Sequence, residues 1–148
     1  MPARSTGAPE HHSYRTAPLG HVLRRLLAES ESPLGAYELV QRLAAETGRR
    51  AYANTVYRAI SPLVASGEVL AIITTKKWTI RRGPGATLLL LCDVCGGVTQ
   101  IPWTATDLRH AWERARFRAA QIHLEVHGRC DACRATKSTP RPDPSRVA

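Results

Sequence analysis

Residues 54–64 read NTVYRAISPLV, and this segment decides the fold of the first half of the chain. Its apolar residues recur at the spacing of one buried face of an α-helix. They are Val56, Ala59, Ile60, Leu63 and Val64. The opposite side of the same helix carries Asn54, Tyr57, Arg58 and Ser61. We therefore expect a helix that buries its aliphatic side and turns a tyrosine and an arginine to solvent.

Two more helical patterns precede this segment, and a hairpin pattern follows it. The first stripe is Leu19, Val22, Leu23, Leu26 and Leu27, and the second is Ala36, Leu39, Val40, Leu43 and Ala44. Residues 68–73 and 77–80 are rich in Val, Ile, Thr and Trp, which predicts two strands joined by a short turn. Three helices followed by a hairpin predict a winged helix-turn-helix.

Glycine and proline mark the ends of these helices. Gly48 is predicted to end the second helix. Pro62 removes one backbone hydrogen bond, so it should kink the third helix or end it early.

The third helix and the hairpin tip offer residues that suit a DNA duplex. In a helix-turn-helix, the second helix of the pair enters the major groove, and here that is the third helix. Arginine can bond guanine edges or phosphate, and a tyrosine ring can pack on a thymine methyl. The candidates are Tyr57, Arg58, Asn54 and Ser61 in the helix, and Lys76 and Lys77 at the hairpin tip, with Arg81 and Arg82 extending the basic stretch. The alternative is an ordinary solvated helix face.

The four cysteines of the chain form two Cys-x-x-Cys pairs, Cys92 with Cys95 and Cys130 with Cys133. Two intervening residues let both thiolates of a tight turn face one ion, and Gly96 supplies the freedom that such a turn needs. Four thiolates make the closed tetrahedral shell of structural zinc, which leaves no open position for catalysis. Ordinary core cysteines and a redox dithiol pair are the alternatives.

Strand and helix patterns surround these pairs. Residues 87–91 predict a strand that runs into Cys92, and residues 97–101 predict a second. Leu108, Ala111, Trp112 and Ala115 mark a helix. Apolar Ile122, Leu124 and Val126 alternate with polar residues, which predicts a half-buried strand with the apolar side inward. The fold class is therefore α+β, with a winged helix followed by a small α/β unit around the four cysteines.

The charge of the chain favours a polyanionic partner. Its 21 basic and 12 acidic residues give a formal net charge of +9 over 148 residues, and neutralising phosphates releases counterions. No apolar run approaches the length of a membrane span, and the first 13 residues lack the apolar core of a signal peptide. We expect a cytoplasmic protein with reduced thiols. No phosphate loop or paired carboxylates are visible, so we do not expect an enzyme.

Taken together, the motifs resemble those of the ferric uptake regulator (Fur) family, and most of all its zinc uptake regulator branch. They are PLGAYEL at 33–39, NTVYRA at 54–59, Cys92-x-x-Cys95-Gly96 and Gly128-Arg129-Cys130-x-x-Cys133. The similarity covers roughly residues 19 to 133. It implies a homodimer that binds palindromic operators and represses genes of metal homeostasis. It also implies one structural zinc on the four cysteines, and DNA contacts at Tyr57 and Arg58 with weaker candidates at Asn54 and Thr55.

The composition of the chain, with its glycines and prolines, also suggests a division into domains. A flexible arm, 1–14, precedes a DNA-binding winged helix, 15–82, and a zinc-binding dimerisation domain, 86–133, precedes a disordered tail, 134–148. The stretch Gly83-Pro84-Gly85 marks the boundary between the two domains.

One part of the family pattern is missing. Residues 86–91 read ATLLLL, whereas family members carry metal-sensing histidines before the first cysteine pair. A rebuilt second metal site could consist of His123, Glu125 and His127 on one face of a strand, completed by His110 or a partner's glutamate. The alternative is the wet face of an amphipathic strand. Two other functions stay open, namely a metal-independent Fur-like regulator and a zinc-ribbon adaptor that binds protein or RNA.

Overall fold

The computed structural model describes residues 17–104, 106–120 and 122–135. The predicted arm, 1–14, lies outside these residues, and so does the predicted tail, 134–148, except for residues 134 and 135, which are helical rather than disordered. The first half contains α1 (Ala17–Glu29), β1 (Leu34–Gly35), α2 (Ala36–Thr47), α3 (Ala53–Ala65), β2 (Val69–Ile72) and β3 (Lys77–Ile80). The second half contains β4 (Thr87–Cys92), β5 (Val98–Pro102), α4 (Thr106–Arg114), β6 (Glu125–Gly128) and α5 (Asp131–Ala135).

The first half forms the predicted winged helix. Its three helices enclose an apolar core with a small antiparallel sheet of order β1-β3-β2. The hairpin of β2, β3 and the turn 73–76 is called the wing below. The buried residues come from every element of this half: Leu23, Leu26, Leu27, Leu34, Ala36, Leu39, Leu43, Val56, Ala59, Ile60, Val69 and Trp78. All three apolar stripes of the sequence thus meet in one core.

The end of α2 agrees with the sequence prediction, whereas the end of α3 does not. Gly48 ends α2 in the left-handed conformation, with φ of 63°, and its N–H donates to the carbonyl of Ala44 at 2.9 Å. Of the two expected effects of Pro62, a kink or an early end of α3, the early end is wrong, because the helix continues to Ala65. Leu63 and Val64 pack against the core after Pro62, and this packing holds the last turn in place.

The second half is built on a three-stranded sheet of order β5-β4-β6. β4 and β5 are antiparallel, whereas β4 and β6 run parallel with Cys92 opposite Gly128. The chain reaches β6 through α4, as the sequence pattern predicts. Parallel pairing brings the carboxyl ends of β4 and β6 to the same edge of the sheet, where both cysteine pairs lie.

The strand β6 differs from its prediction in length and in orientation. It covers only Glu125–Gly128, and Val126 is 50% exposed rather than buried. The side chain of Glu125 is the shielded one, with 9% of its surface exposed. The reason is that β6 is an edge strand and that the wing covers Glu125, whereas His123 and His127 on the same side of the alternation stay exposed.

The second half buries few apolar side chains of its own. Its buried cluster consists of Leu89 and Leu91 together with Ile72 of the wing. None of the helices in the described residues is long and apolar enough to cross a membrane.

Candidate nucleic-acid interface and metal centre

The outer side of α3 is available to a large partner. The helix begins after Tyr52, whose carbonyl accepts hydrogen bonds from the N–H groups of Thr55 and Val56 at 3.0 and 3.2 Å. The four residues that we call the outer stripe are all exposed: Asn54, Tyr57, Arg58 and Ser61. Tyr57 is 47% exposed, and Thr55 is half-buried. The predicted outward stripe is therefore present, and Thr55 lies at its edge.

Tyr57 is also braced by the wing. Its ring meets the ring of Trp78 edge-on, with centroids 5.2 Å apart and an interplanar angle of 74°. Trp78 lies in β3 and is buried. Such an edge-to-face pair contributes about 0.5–1.5 kcal/mol beyond the area that it buries. The contact restricts the tyrosine ring while leaving nearly half of the residue to solvent.

The two wing lysines differ in their surroundings. Lys76 is exposed in the turn and adopts a left-handed conformation with φ of 53°. Lys77 is half-buried, and its Nζ lies 3.2 Å from Oε2 of Glu38 in the first turn of α2. Burial alone would raise the pKa of Glu38, but the Gly35 N–H and Lys77 lower it below the ordinary value. Lys77 would thus have to leave or share this ion pair to contact a phosphate.

Sequence reasoning did not select several exposed residues at the start of α2 and in the segment before α3. Arg49 and Arg50 are exposed in the short segment before the helix. Tyr52 and Tyr37 are exposed by 60% and 80%, which is unusual for large aromatic side chains. The position of two arginines between the end of α2 at Gly48 and the start of α3 was the available signal.

The four cysteines form one cluster at the edge where β4 and β6 end. Their sulfurs all lie within 4.8 Å of one another, and Sγ of Cys95 is 3.9 Å from Sγ of Cys130. Four thiolates at about 2.3 Å from one zinc lie roughly 3.8 Å apart, so the cluster fits a tetrahedral zinc site. It is the one group of at least three potential metal ligands in the described residues that could share an ion.

Backbone geometry holds the first pair in a tight turn. Gly96 has φ of 73°, and its N–H donates to the carbonyl of Cys92 at 2.9 Å. The Cys92 N–H in turn donates to the carbonyl of Gly97 at 3.0 Å. The left-handed conformation explains why a glycine follows Cys95, as the sequence suggested.

The thiols titrate differently because their surroundings differ. The backbone N–H groups of Cys95, Cys130 and Val94 lower the pKa of the Cys92 thiol to about 6. The hydrogen bond with Cys130 and burial raise the pKa of the Cys133 thiol to about 12. The backbone donors therefore favour a thiolate at Cys92, whereas the charged form of Cys133 is disfavoured until a cation compensates its charge.

The residues of the predicted second metal site have other partners or remain apart. Glu125 accepts hydrogen bonds from Ile73 and Thr74 of the wing. His127 lies between Asp93, at 2.9 Å, and Glu125, at 3.7 Å. In the described residues, His123 and His110 do not join these groups in a common ligand set.

Comparisons with known proteins place this arrangement among transcription regulators. A scan against protein-family models and a search of curated proteins each found no match. A zinc uptake regulator complexed with zinc and DNA is 25% identical, with a TM-score of 0.73, over 82% of this chain and 84% of its own. The holo form of XcZur is 27% identical, with a TM-score of 0.72, over 84% of this chain and 90% of its own.

A more distant structure shares the fold. The ferric uptake regulator of Helicobacter pylori is 15% identical, with a TM-score of 0.55, over 84% of this chain and 85% of its own. The higher TM-scores belong to the two zinc uptake regulator structures, in agreement with the resemblance drawn from the sequence motifs. These matched proteins are regulators, which confirms the prediction of a regulator rather than an enzyme.

Proposed function

We propose that this chain, a member of the Fur family near its zinc uptake regulator branch, is a DNA-binding transcription regulator. The observation that carries the proposal is the exposed outer stripe on α3, the second helix of the helix-turn-helix pair. Its exposed Tyr57 and Arg58 suit base edges and thymine methyl groups in the major groove. The matched regulator complexed with DNA supports this assignment.

Phosphate contacts complete the proposed interface. Arg49 and Arg50 are exposed beside the amino end of α3, where they would reach one backbone strand. Asn54, Thr55 and Ser61 extend the contact along the helix, and Lys76 and Lys77 bring the wing to the backbone. The net charge of +9 supplies the long-range attraction that such an interface needs.

The proposal includes a homodimer that recognises a palindromic operator and acts as a repressor in the cytoplasm. Apolar side chains of the second half are exposed in a single chain, and a second copy would cover them. They are Ile101, Leu108, Phe117, Ile122 and Val126. A twofold dimer would place two α3 helices on successive turns of the duplex.

In this proposal, zinc stabilises the fold of the second half and takes no part in catalysis. Cys92, Cys95, Cys130 and Cys133 would hold one ion per chain and tie the end of β4 to the start of α5. The ion would hold the ends of β4 and β6 together, and it would support the dimer only through the fold of the second half.

Two substitutions test the DNA-reading assignment. Replacing Tyr57 or Arg58 by alanine removes a proposed base contact, which should weaken binding to a selected operator about 5- to 150-fold. Arg114→Ala is the matched control, because Arg114 is exposed on α4, in the half of the chain that carries none of the proposed DNA contacts. Fluorescence anisotropy at fixed salt would measure the affinity, and circular dichroism would confirm the fold. Unchanged binding in both variants would favour the zinc-ribbon adaptor.

The response to additional metal distinguishes a sensor from a metal-independent regulator. The carboxylate of Glu125 already accepts hydrogen bonds from the wing, and residues 86–91 carry no ligand side chain. We therefore expect zinc, iron or manganese to change the operator affinity of the zinc-loaded protein by less than about twofold. A tenfold change that His123→Ala and His127→Ala abolish would establish the second site instead.

A further inference from the structure

One arginine ties three segments together where the two halves of the chain meet. Arg81 follows β3 directly and is half-buried. Its Nε donates to the carbonyl of Gly67, in the turn after α3, at 2.5 Å. Its Nη1 donates to Oγ1 of Thr87, at the start of β4, at 3.0 Å, and also to the carbonyl of Gly85. The guanidinium thus joins the end of α3 to the connection between the domains.

A glutamine forms a second link at the same end of the wing. Nε2 of Gln100, in β5, donates to the carbonyl of Ile80 at 2.7 Å. Oε1 of the same side chain accepts from the N–H of Arg82 at 3.0 Å. Both backbone groups flank Arg81, so one side chain of the second sheet holds the end of β3 from both sides.

A glutamate holds the opposite end of the wing. The carboxylate of Glu125 accepts from the N–H of Ile73 at 2.6 Å and from Oγ1 and the N–H of Thr74 at 2.6 and 3.3 Å. Burial alone would raise the pKa of Glu125, but these hydrogen bonds lower it, so the group is charged at neutral pH. Hydrogen bonds to ionised groups are the stronger ones.

These links attach the wing to the second half of the chain at both of its ends. Arg81 and Gln100 act at its base, Glu125 acts at its tip, and Ile72 packs between them against Leu89 and Leu91. The wing also contacts α3 through Trp78 and Tyr57. A rotation of α3 relative to the second half would have to break charged hydrogen bonds at two separate places.

We propose that Arg81, Gln100 and Glu125 are positioning residues that fix the orientation of α3 on the dimerisation domain. Because each α3 is then held in one orientation on its dimerisation domain, these three side chains also set the spacing between the two α3 helices of a dimer. This inference rests on the proposed function. It assigns no DNA contact to Arg81, whose guanidinium is used inside the molecule, in contrast to the exposed Arg50.

Operators with altered spacing test this role. One added base pair between the half-sites moves one of them by about 3.4 Å and rotates it by roughly 35°. A dimer with fixed helices should prefer one spacing strongly. Arg81→Lys keeps the charge but cannot form the fork of hydrogen bonds. Gln100→Leu keeps the size without the hydrogen bonds. Each should reduce the preference for the best spacing over its neighbours about three- to tenfold.

The controls separate positioning from other roles. Arg50→Gln, which removes a proposed phosphate contact, should lower affinity equally at all spacings and reduce the salt slope by about one. Arg114→Gln should change neither measurement. A substitution that only destabilises the fold would also lower all affinities equally, and would not alter the ratio between spacings.

The outcomes distinguish the inference from the proposed function. If the wild-type chain binds no operator, the proposed function fails. If it binds with a sharp spacing preference that Arg81→Lys and Gln100→Leu leave intact, only the positioning role is overturned. A flat spacing profile in the wild type would overturn it as well.

Discussion

The two halves of this chain are stabilised in different ways. The first half buries apolar side chains from all three helices and the wing around one centre. The second half buries Leu89 and Leu91 against Ile72, which belongs to the first half. Small units that cannot bury enough apolar surface usually need a staple such as a metal. The comparison indicates that hydrophobic burial holds the winged helix, whereas four thiolates and the links to the wing hold the second sheet.

Removal of zinc should show the difference between the two halves most clearly. Binding of structural zinc is worth about 10–16 kcal/mol of apparent free energy in small metal-dependent domains, and much of it is folding free energy. We expect a chelator to abolish hydrogen-exchange protection in β4, β5 and β6 while α1–α3 remain protected. Elemental analysis before chelation should find about one zinc per chain.

A cysteine variant offers a second way to remove the metal. Cys92→Ser should reproduce the effect of the chelator without any added reagent. If the metal-free protein is a well-folded dimer, or if both halves lose protection together, then the two halves are not stabilised in different ways.

A pair of leucine substitutions tests the same difference and should have the next largest effect on stability. Leu39 is fully buried in the first half, whereas Leu108 on α4 is 38% exposed. Leu39→Ala should lower the free energy of unfolding of the winged helix by about 2–5 kcal/mol. Leu108→Ala should cost less than about 1 kcal/mol in the chain itself and act mainly on the dimer. Urea unfolding and sedimentation would measure the two effects, and equal losses of chain stability would contradict the comparison.

The smallest expected effect concerns the link between Glu125 and the wing. The pKa of Glu125 is lowered in the folded chain, so its contribution is present above the ordinary value and is lost as pH falls through the lowered one. The link should be worth about 1.5–3 kcal/mol, the range for hydrogen bonding to a charged group. Exchange protection of the Ile73 and Thr74 amides should therefore fall on acidification.

The matched variant for this link is Glu125→Gln. It should show weaker protection of the same two amides at neutral pH and no further loss that is specific to them in acid. Identical pH profiles in the wild type and the variant would show that another group controls the wing tip.

Features encoded in local spacing could be predicted from the sequence. The apolar stripe of α3 repeats within eleven residues, so its inward and outward sides follow from the pattern alone. The cysteine pairs identify the metal centre because ligand spacing within each tight turn is also local. Gly48 and Gly96 mark a helix end and a turn, and both have positive φ in the structure.

Features that depend on distant partners could not be predicted in the same way. Alternation in β6 predicts two faces, but it does not reveal that Glu125 faces the wing, more than 50 residues earlier in the chain. The pairing of Lys77 with Glu38 and the use of Arg81 inside the molecule have the same cause. From the sequence alone, a charged side chain is expected at the surface. The position of a residue in the sequence does not show which carboxylates or carbonyls from other segments will lie beside it.

The parallel pairing of β4 with β6 also determines when the metal centre can close during synthesis. Cys130 follows Cys92 by 38 residues, an interval of roughly 2–8 s at a ribosomal rate of 5–20 residues per second. Until then, a nascent chain offers only two thiolates, and an ion held by them keeps open positions and exchanges readily. Selection of the correct ion is therefore completed only after nearly all of the described chain has been translated. A chain that ends between the two cysteine pairs would contain the whole winged-helix sequence but only two of the four ligands.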